Sequence, residues 1–449
     1  MDTQMDAARD ASSPATDNAE MLAFIDESRS MFHTVAALRE RLDAAGFTYL
    51  PEGSAWEVAP GGRYYTQRNG SSLIAWRVGS LLDSYHFQLT ASHADSPTFK
   101  VKAAPELDGA GGARRLNVEA YGGMIDYSWF DRPLGLAGRV MVREGSRVES
   151  RLLSIDRPVA LIPSLAIHQN RDVNKGFAPN RQVDLCPLFS AGDPAARSLD
   201  ELVAAELGVE PSQVMARDLY LASLERGCVW GDAGEFVSAP RIDDLMCAFA
   251  SLKAFLASDN PHDVSVYCCF DNEEVGSGTK QGAMSTLLRD CLERLNAALG
   301  RTDEDLRRAI AGSMLVSCDN AHAVHPNQPG RSDDANRCVL NGGLVIKEAA
   351  NQAYCTDAFS RAVFAAILDE AGAPRQTFAN RSDVAGGSTL GNLSNMQVSM
   401  HAVDVGCAQL AMHSAFETAG ARDLGHAVRA LTAFYDADIH VEAADAAEF

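Results

Sequence analysis

Two adjacent glutamates, Glu273 and Glu274, stand with Asp271 in the stretch "YCCFDNEEVGSGTKQGA" at 267–283. The run before them, Val264–Phe270, is β-branched and aromatic, and an acidic, Gly-rich turn follows. That pattern predicts a buried strand delivering carboxylates to its C-terminal edge. Carboxylates this close repel one another, so either one stays protonated or a cation sits between them. For an isolated pair a solvated acidic turn is the commoner outcome. The rest of the chain must decide.

Other residues could share such a site. His93 and Asp95 form an H-x-D triplet at the end of "YHFQLTASHAD", and on extended chain both point the same way. The carboxylate could then orient the imidazole, although many such triplets are incidental. Asp243, in "PRIDDLM", stands where a turn enters a helix, a place that capping and the helix dipole already favour for Asp. "SCDNAHAVHPN" offers Asp319, His322 and His325 after a strand, in a chain with only 11 histidines. His413, in "AMHS", could equally be a hydrogen-bonded core residue.

Each of these has a bland explanation alone. Together they place His, Asp and Glu at strand ends and helix starts, where open α/β sheets build their sites. Nitrogen and oxygen ligands without thiolate suit Zn²⁺, Mn²⁺ or Co²⁺ in a hydrolytic centre. Two dications would be balanced by Asp243, Glu274, Asp319 and one bridging hydroxide, which leaves Glu273 free as a base. Other chemistries fit poorly. "GGSTLG" is not a nucleophile elbow, "GSGTKQG" lacks the ending of a phosphate-binding loop, and no dinucleotide fingerprint follows a strand.

The elements that must position these residues can be read from the pattern. The chain has 449 residues, 46% of them hydrophobic, enough for two cored domains. Its net charge of −21 disfavours nucleic acid, and no basic patch or apolar run of roughly 18 residues points to a membrane. Residues 1–19 read as a disordered acidic tail without signal-peptide features. The ten cysteines lack any framework, which predicts reduced thiols in a cytoplasmic protein. Residues 20–98 and 240–449 alternate helices and strands, the pattern of an α/β sheet domain. Between them, residues 99–239 carry short β-rich stretches broken by Gly, Pro and Asn, the texture of an inserted unit.

"TASHADSP", "YGGMIDYSWFDRPLGLAGRV", "PSLAIHQNR", "PRIDDL", "FDNEEVGS", "SCDNAHAVHPN", "GGLVIK", "RSDVAGGSTLG" and "VDVGCAQLAMHS" together resemble the M18 metallo-aminopeptidases, the aspartyl aminopeptidases. The resemblance spans nearly everything after the tail, in the family's order. It implies a two-metal site, usually zinc, with His93, Glu274, Asp319 and His413 as ligands and Asp243 bridging. Glu273 would be the general base and Asp95 the partner of His93. The implied fold is a mixed sheet flanked by helices, of the two-metal exopeptidase type, interrupted by a β-rich dimerisation domain. Dimers would assemble into a dodecamer, in which His168 reaches a neighbour's active site and Lys347 lies near the peptide substrate.

Departures from the family's pattern fall around the implied pocket, at Gln328, Asn392 and Phe416. An acidic substrate side chain needs a local cation against the overall negative field. Lys347 and Arg381 are the candidates, with a surface or structural role an equal alternative for each. Two rival readings remain: a related two-metal deacylase or carboxypeptidase, and a non-catalytic assembly protein.

Overall fold

The run Val264–Phe270 forms the strand its sequence predicts, with all 7 residues buried. In the computed structural model, which describes residues 14–443 and 446–449, this strand lies inside a nine-stranded mixed sheet. The order is Thr48–Tyr49, Arg63–Arg68, Ser72–Val78, Val264–Phe270, Phe87–His93, Met314–Cys318, His401–Gly406, Leu344–Glu348 and Arg375–Ala379. The four strands from Val264–Phe270 to His401–Gly406 run parallel. Phe270 stands opposite His93, and Ser317 opposite both Ala91 and Asp404. These strands therefore end nearly level along one edge.

Parallel strands of this kind are covered on both faces, which is why their sequences are apolar throughout. Alternate residues part company accordingly. Tyr267 and Cys269 join a core with the helices Met31–Ala44, Ile242–Ala257, Ala358–Glu370 and Asp423–Asp436. Val266, Cys268 and Phe270 pack on the opposite face against Leu287–Ala298 and Asp303–Ala311. The helix Ile242–Ala257 is apolar almost all round, as a helix buried between a sheet and other helices must be.

Residues 98–223 leave this sheet and build a second, six-stranded antiparallel one. Its order is Arg147–Ala160, Leu134–Glu144, Val214–Ser223, Thr98–Asp108, Arg114–Tyr121 and Leu188–Ser190. It has its own core, which takes in Leu199, Leu202 and Val203 of the helix Leu199–Leu207. The strands Cys228–Trp230 and Phe236–Ala239 join a five-stranded sheet with Glu417–Gly420, Ala408–Leu410 and Ala321–His322.

Some expectations are revised. Residues 14–19, which composition places in the acidic tail, lie in the helix Pro14–Glu27. Asp17 and Glu20 both meet Lys253 Nζ at 2.6 Å, and Asn18 donates to the Ala421 carbonyl at 2.7 Å, so this acidic segment is tied to the α/β unit. Residues 1–13 lie outside the described residues. The helix Pro14–Glu27 is followed, after a break at Ser28–Ser30, by the helix Met31–Ala44. All ten cysteines are free. Among the described residues no helix is long and apolar enough to cross a membrane.

Candidate metal centre

The level edge of the four parallel strands gathers the acidic and imidazole side chains. His93 is the last residue of its strand, Glu273 and Glu274 follow Phe270 by a short turn, and Asp319 follows Cys318. Asp243 enters at the start of its helix and His413 from the loop after Ala408–Leu410. The turn before the glutamates needs a left-handed residue at 272 (φ 63°), and Asn accepts that backbone more readily than most. Asp319 comes close because residue 406 is glycine; a Cβ there would overlap the Asp319 main-chain oxygen.

Two groups of potential ligands share Asp243. One contains His93, Asp243, Asp244 and Asp319; the other Asp243, Glu274 and His413, the donor atoms of each group lying within 4.8 Å of one another. Glu273 joins His93 and Glu274 in a third such group. His93 Nε2 stands 3.5 Å from Asp243 Oδ1 and 3.8 Å from Asp319 Oδ1. Nε2 of His413 lies 3.4 Å from both Asp243 Oδ2 and Glu274 Oε2. The other ring nitrogen of His93, Nδ1, donates to the Asp95 main-chain oxygen at 3.0 Å, which presents Nε2 to the carboxylates.

Several residues hold this arrangement. The Asp95 carboxylate accepts the Glu273 and Glu274 main-chain N–H groups, each at 3.2 Å, and the Tyr121 hydroxyl at 2.7 Å. Asp244 Oδ2 accepts the His93 N–H at 3.1 Å. Glu417 accepts the N–H of Asp243 at 3.0 Å and of His413 at 2.6 Å. Lys347, only 1% exposed, donates to the main-chain oxygen of Asp319 at 2.7 Å.

The electrostatics follow from burial and crowding. Burial alone would lower the pKa of His93, but Asp244, Asp243 and Asp319 outweigh it and raise it well above the usual imidazole value. Burial would raise Asp243, yet His413 and His93 hold it below the ordinary carboxylate range. Burial raises Glu274 strongly, with Asp243 adding to it, and pushes Glu273 up to about 8. Asp243 Oδ1 and Glu274 Oε1 are buried without a hydrogen-bond partner. An orphaned buried acceptor costs about 1–3 kcal/mol. Oxygens of this kind, facing imidazole nitrogens and with no cysteine in the ligand groups of the described residues, are the donor set of a divalent cation such as zinc. The residues fit a two-cation centre.

The chain matches, over residues 24–435, the family described as "Aminopeptidase I zinc metalloprotease (M18)". It belongs to the M18 family of metallo-aminopeptidases. It is 41% identical over 423 residues to a protein of Clostridium acetobutylicum described as "Probable M18 family aminopeptidase 2", covering 93% of this chain and 98% of the relative. A Pseudomonas aeruginosa relative of the same description is 41% identical over 425 residues, with 93% and 97% covered. Among solved structures, Ape4 in its complex with Nbr1 superposes with a TM-score of 0.91 at 34% identity, covering 96% of this chain and 87% of that one. The S. cerevisiae mature Ape1 dodecamer gives 0.81 at 29%, with 93% and 96% covered.

The remaining sequence candidates stand outside these ligand groups among the described residues. His322 is exposed, with its ring against Phe378 at 6.3 Å, and His325 accepts from the Asn327 N–H at 3.2 Å. Neither joins a ligand group among the described residues. Arg381 pairs with Asp383 at 2.9 Å and donates to the Gly330 carbonyl. His168 is exposed on the loop after Ile162. Asp244, Glu417 and Tyr121 also hold the centre, beyond the residues that the sequence pattern singles out. For Asp244 the doubled "DD" is a signal, and Tyr121 opens the motif "YGGMIDYSWFDRPLGLAGRV"; for Glu417 nothing local distinguishes it.

Proposed function

We propose that this M18 enzyme releases single residues from the N-terminus of peptides, preferring Asp or Glu in the first position. The observation that carries the hydrolytic reading is the pair of ligand groups joined at Asp243, with Glu273 beside them. One cation would be held by His93, Asp243 and Asp319, the other by Asp243, Glu274 and His413. Zinc suits these donors best, and manganese or cobalt could replace it. When bound, such cations polarise the scissile carbonyl and bring the pKa of water towards neutrality.

In this reading Glu273 accepts the proton of the attacking water as the new C–O bond forms, and returns it to the amine nitrogen as the C–N bond breaks. Asp95 fixes Glu273 and Glu274 through their N–H groups and His93 through its own carbonyl. Lys347, spent on the Asp319 carbonyl, serves the ligand loop rather than the substrate.

The six-stranded sheet, built within residues 98–223, supports an inserted dimerisation domain within residues 99–239 of a peptidase domain, residues 20–98 and 240–449, although the strands Cys228–Trp230 and Phe236–Ala239 pair with the peptidase strand Glu417–Gly420. The loop that carries His168 also exposes Leu165, Ile167, Phe177 and Val183, an apolar surface of the kind that subunit contacts cover. Together with the dodecamer of mature Ape1, this supports assembly from dimers, with His168 reaching a neighbour's site.

The test is release of the first residue from Asp-, Glu-, Leu- and Lys-initiated peptides, before and after chelation and with metal restored. Chelator-sensitive release of acidic residues is the expected result. Metal-dependent release of neutral residues instead would keep the mechanism and remove the acidic preference, directing attention to Gln328 and Phe416. No release from any peptide by the metal-loaded enzyme would overturn the reading.

A further inference from the structure

The strand Arg114–Tyr121 belongs to the six-stranded sheet, yet its end reaches the metal centre. Tyr121 pairs with Thr98 across that sheet, which brings it beside the Asp95 loop. Its hydroxyl donates to Asp95 Oδ2 at 2.7 Å and accepts from Asn272 Nδ2 at 2.8 Å. Asn272 Oδ1 in turn accepts from Thr279 Oγ1 at 2.8 Å and Gln281 Nε2 at 2.7 Å. The Tyr121 hydroxyl and both polar atoms of the Asn272 side chain are thereby engaged. The Tyr121 ring stands edge-on to Tyr220 of the same sheet at 5.5 Å. Gly122 follows with φ 81°, and a Cβ on it would lie 3.1 Å from the Glu274 Cβ.

Asp95 therefore accepts three hydrogen bonds: two from the main chain of the glutamates and one from a tyrosine on another sheet. The two N–H donors fix the turn only as firmly as the carboxylate itself is held. Without the hydroxyl, the carboxylate's hydrogen bonds would come only from the turn that it has to fix; Tyr121 ties Asp95 Oδ2 to a separate sheet. An outer hydrogen-bond partner of this kind is typically worth about 10- to 100-fold in activity.

We propose that Tyr121 is a positioning residue for Glu273, acting through Asp95, and that the six-stranded sheet thereby holds the base in register with the ligands. The inference rests on the reading of Glu273 as the base. Tyr121 touches neither substrate nor ligand atoms in this role; it acts on the turn that carries them.

The test is Tyr121→Phe, which removes the hydroxyl and keeps the ring against Tyr220. In the metal-loaded enzyme kcat should fall by about 10- to 100-fold with KM unchanged and two metals still bound per chain. Deuterium uptake in a peptide spanning residues 271–276 should quicken while that of the other strand ends does not. In an Asp95→Asn background the same change should cost little further, because the hydroxyl then has no carboxylate to hold. Unchanged kcat and exchange, a loss of metal matching the loss of rate, or full additivity with Asp95→Asn would each overturn the proposal. A Glu273→Gln variant separates the two failures. If it stays active, the base assignment fails; if it is dead while Tyr121→Phe is normal, only this inference fails.

Discussion

The ammonium of Lys347 lies 2.7 Å from the main-chain oxygen of Asp319 and 3.4 Å from that of Asn320. Burial alone would lower its pKa, but Asp319, Tyr354 and Asp404 reverse the shift and keep it charged. Lys347→Met would strand two buried carbonyls, at about 1–3 kcal/mol each. The expected outcome is a lower Tm and weaker metal retention, with KM for acidic peptides little changed in metal-saturated enzyme. A large KM increase at unchanged Tm would return Lys347 to the substrate pocket.

Glu273 and Glu274 should separate cleanly by mutation. Glu273→Gln removes the proton acceptor and keeps an oxygen of the same reach, so kcat should drop by about 100- to 10,000-fold with metal content intact. Glu274→Gln should lose metal affinity first. Metal analysis beside initial rates decides it, and two fully active, fully loaded variants would refute both roles.

Gly122→Ala tests the contact behind Glu274. The left-handed backbone at 122 costs a side chain about 1–2 kcal/mol, and the added methyl also meets Glu274. Gly145→Ala is the matched control, since its φ is 61° and nothing lies within 4 Å of the new Cβ. Both should lower Tm by similar amounts, but only Gly122→Ala should weaken metal binding in a competitive chelator titration.

His33, which joins none of the ligand groups among the described residues, gives a pH prediction. Burial, with Arg241 and Arg29 adding to it, pushes its pKa down from 6.5 to about 4. Its Nδ1 sits 2.8 Å from Ser30 Oγ. Between these values the unfolded chain takes up a proton that the folded chain refuses. Stability should therefore fall as pH drops from about 6.5 towards 4, by about 3 kcal/mol from this residue. His33→Gln should flatten that part of the Tm–pH curve relative to the parent, measured with metal present. Parallel curves would refute it.

The strand ends were legible because His93, the two glutamates and Asp319 follow runs rich in apolar residues, and such runs end where polar residues begin. Val264–Phe270 and Phe87–His93 could be placed from sequence for this reason. Sequence spacing does not show which distant acids meet, so Glu417 and Tyr121 stayed hidden although they anchor the Asp243, His413 and Asp95 positions. The resemblance implies that Lys347 lies near the substrate, with a structural role an equal alternative, and the sequence "LVIKE" alone does not choose between them. Its strand is buried from Leu344 to Lys347, and that burial comes from neighbours far along the chain. The helix Leu199–Leu207 had a local signature, since Ser198 and Glu201 form a capping box. The β texture around it obscured the signal.

The potential ligands run from His93 to His413, and the six-stranded sheet is threaded between the first of them and Asp243. Synthesis proceeds from the N-terminus, so a chain still on the ribosome that has exposed His93, the glutamates and Asp319 lacks His413, and lacks Glu417 to seat it. Proteolytic competence is thereby postponed until nearly all of both sheets has emerged. Fragments released by premature termination before that point would be inert towards the cell's own peptides.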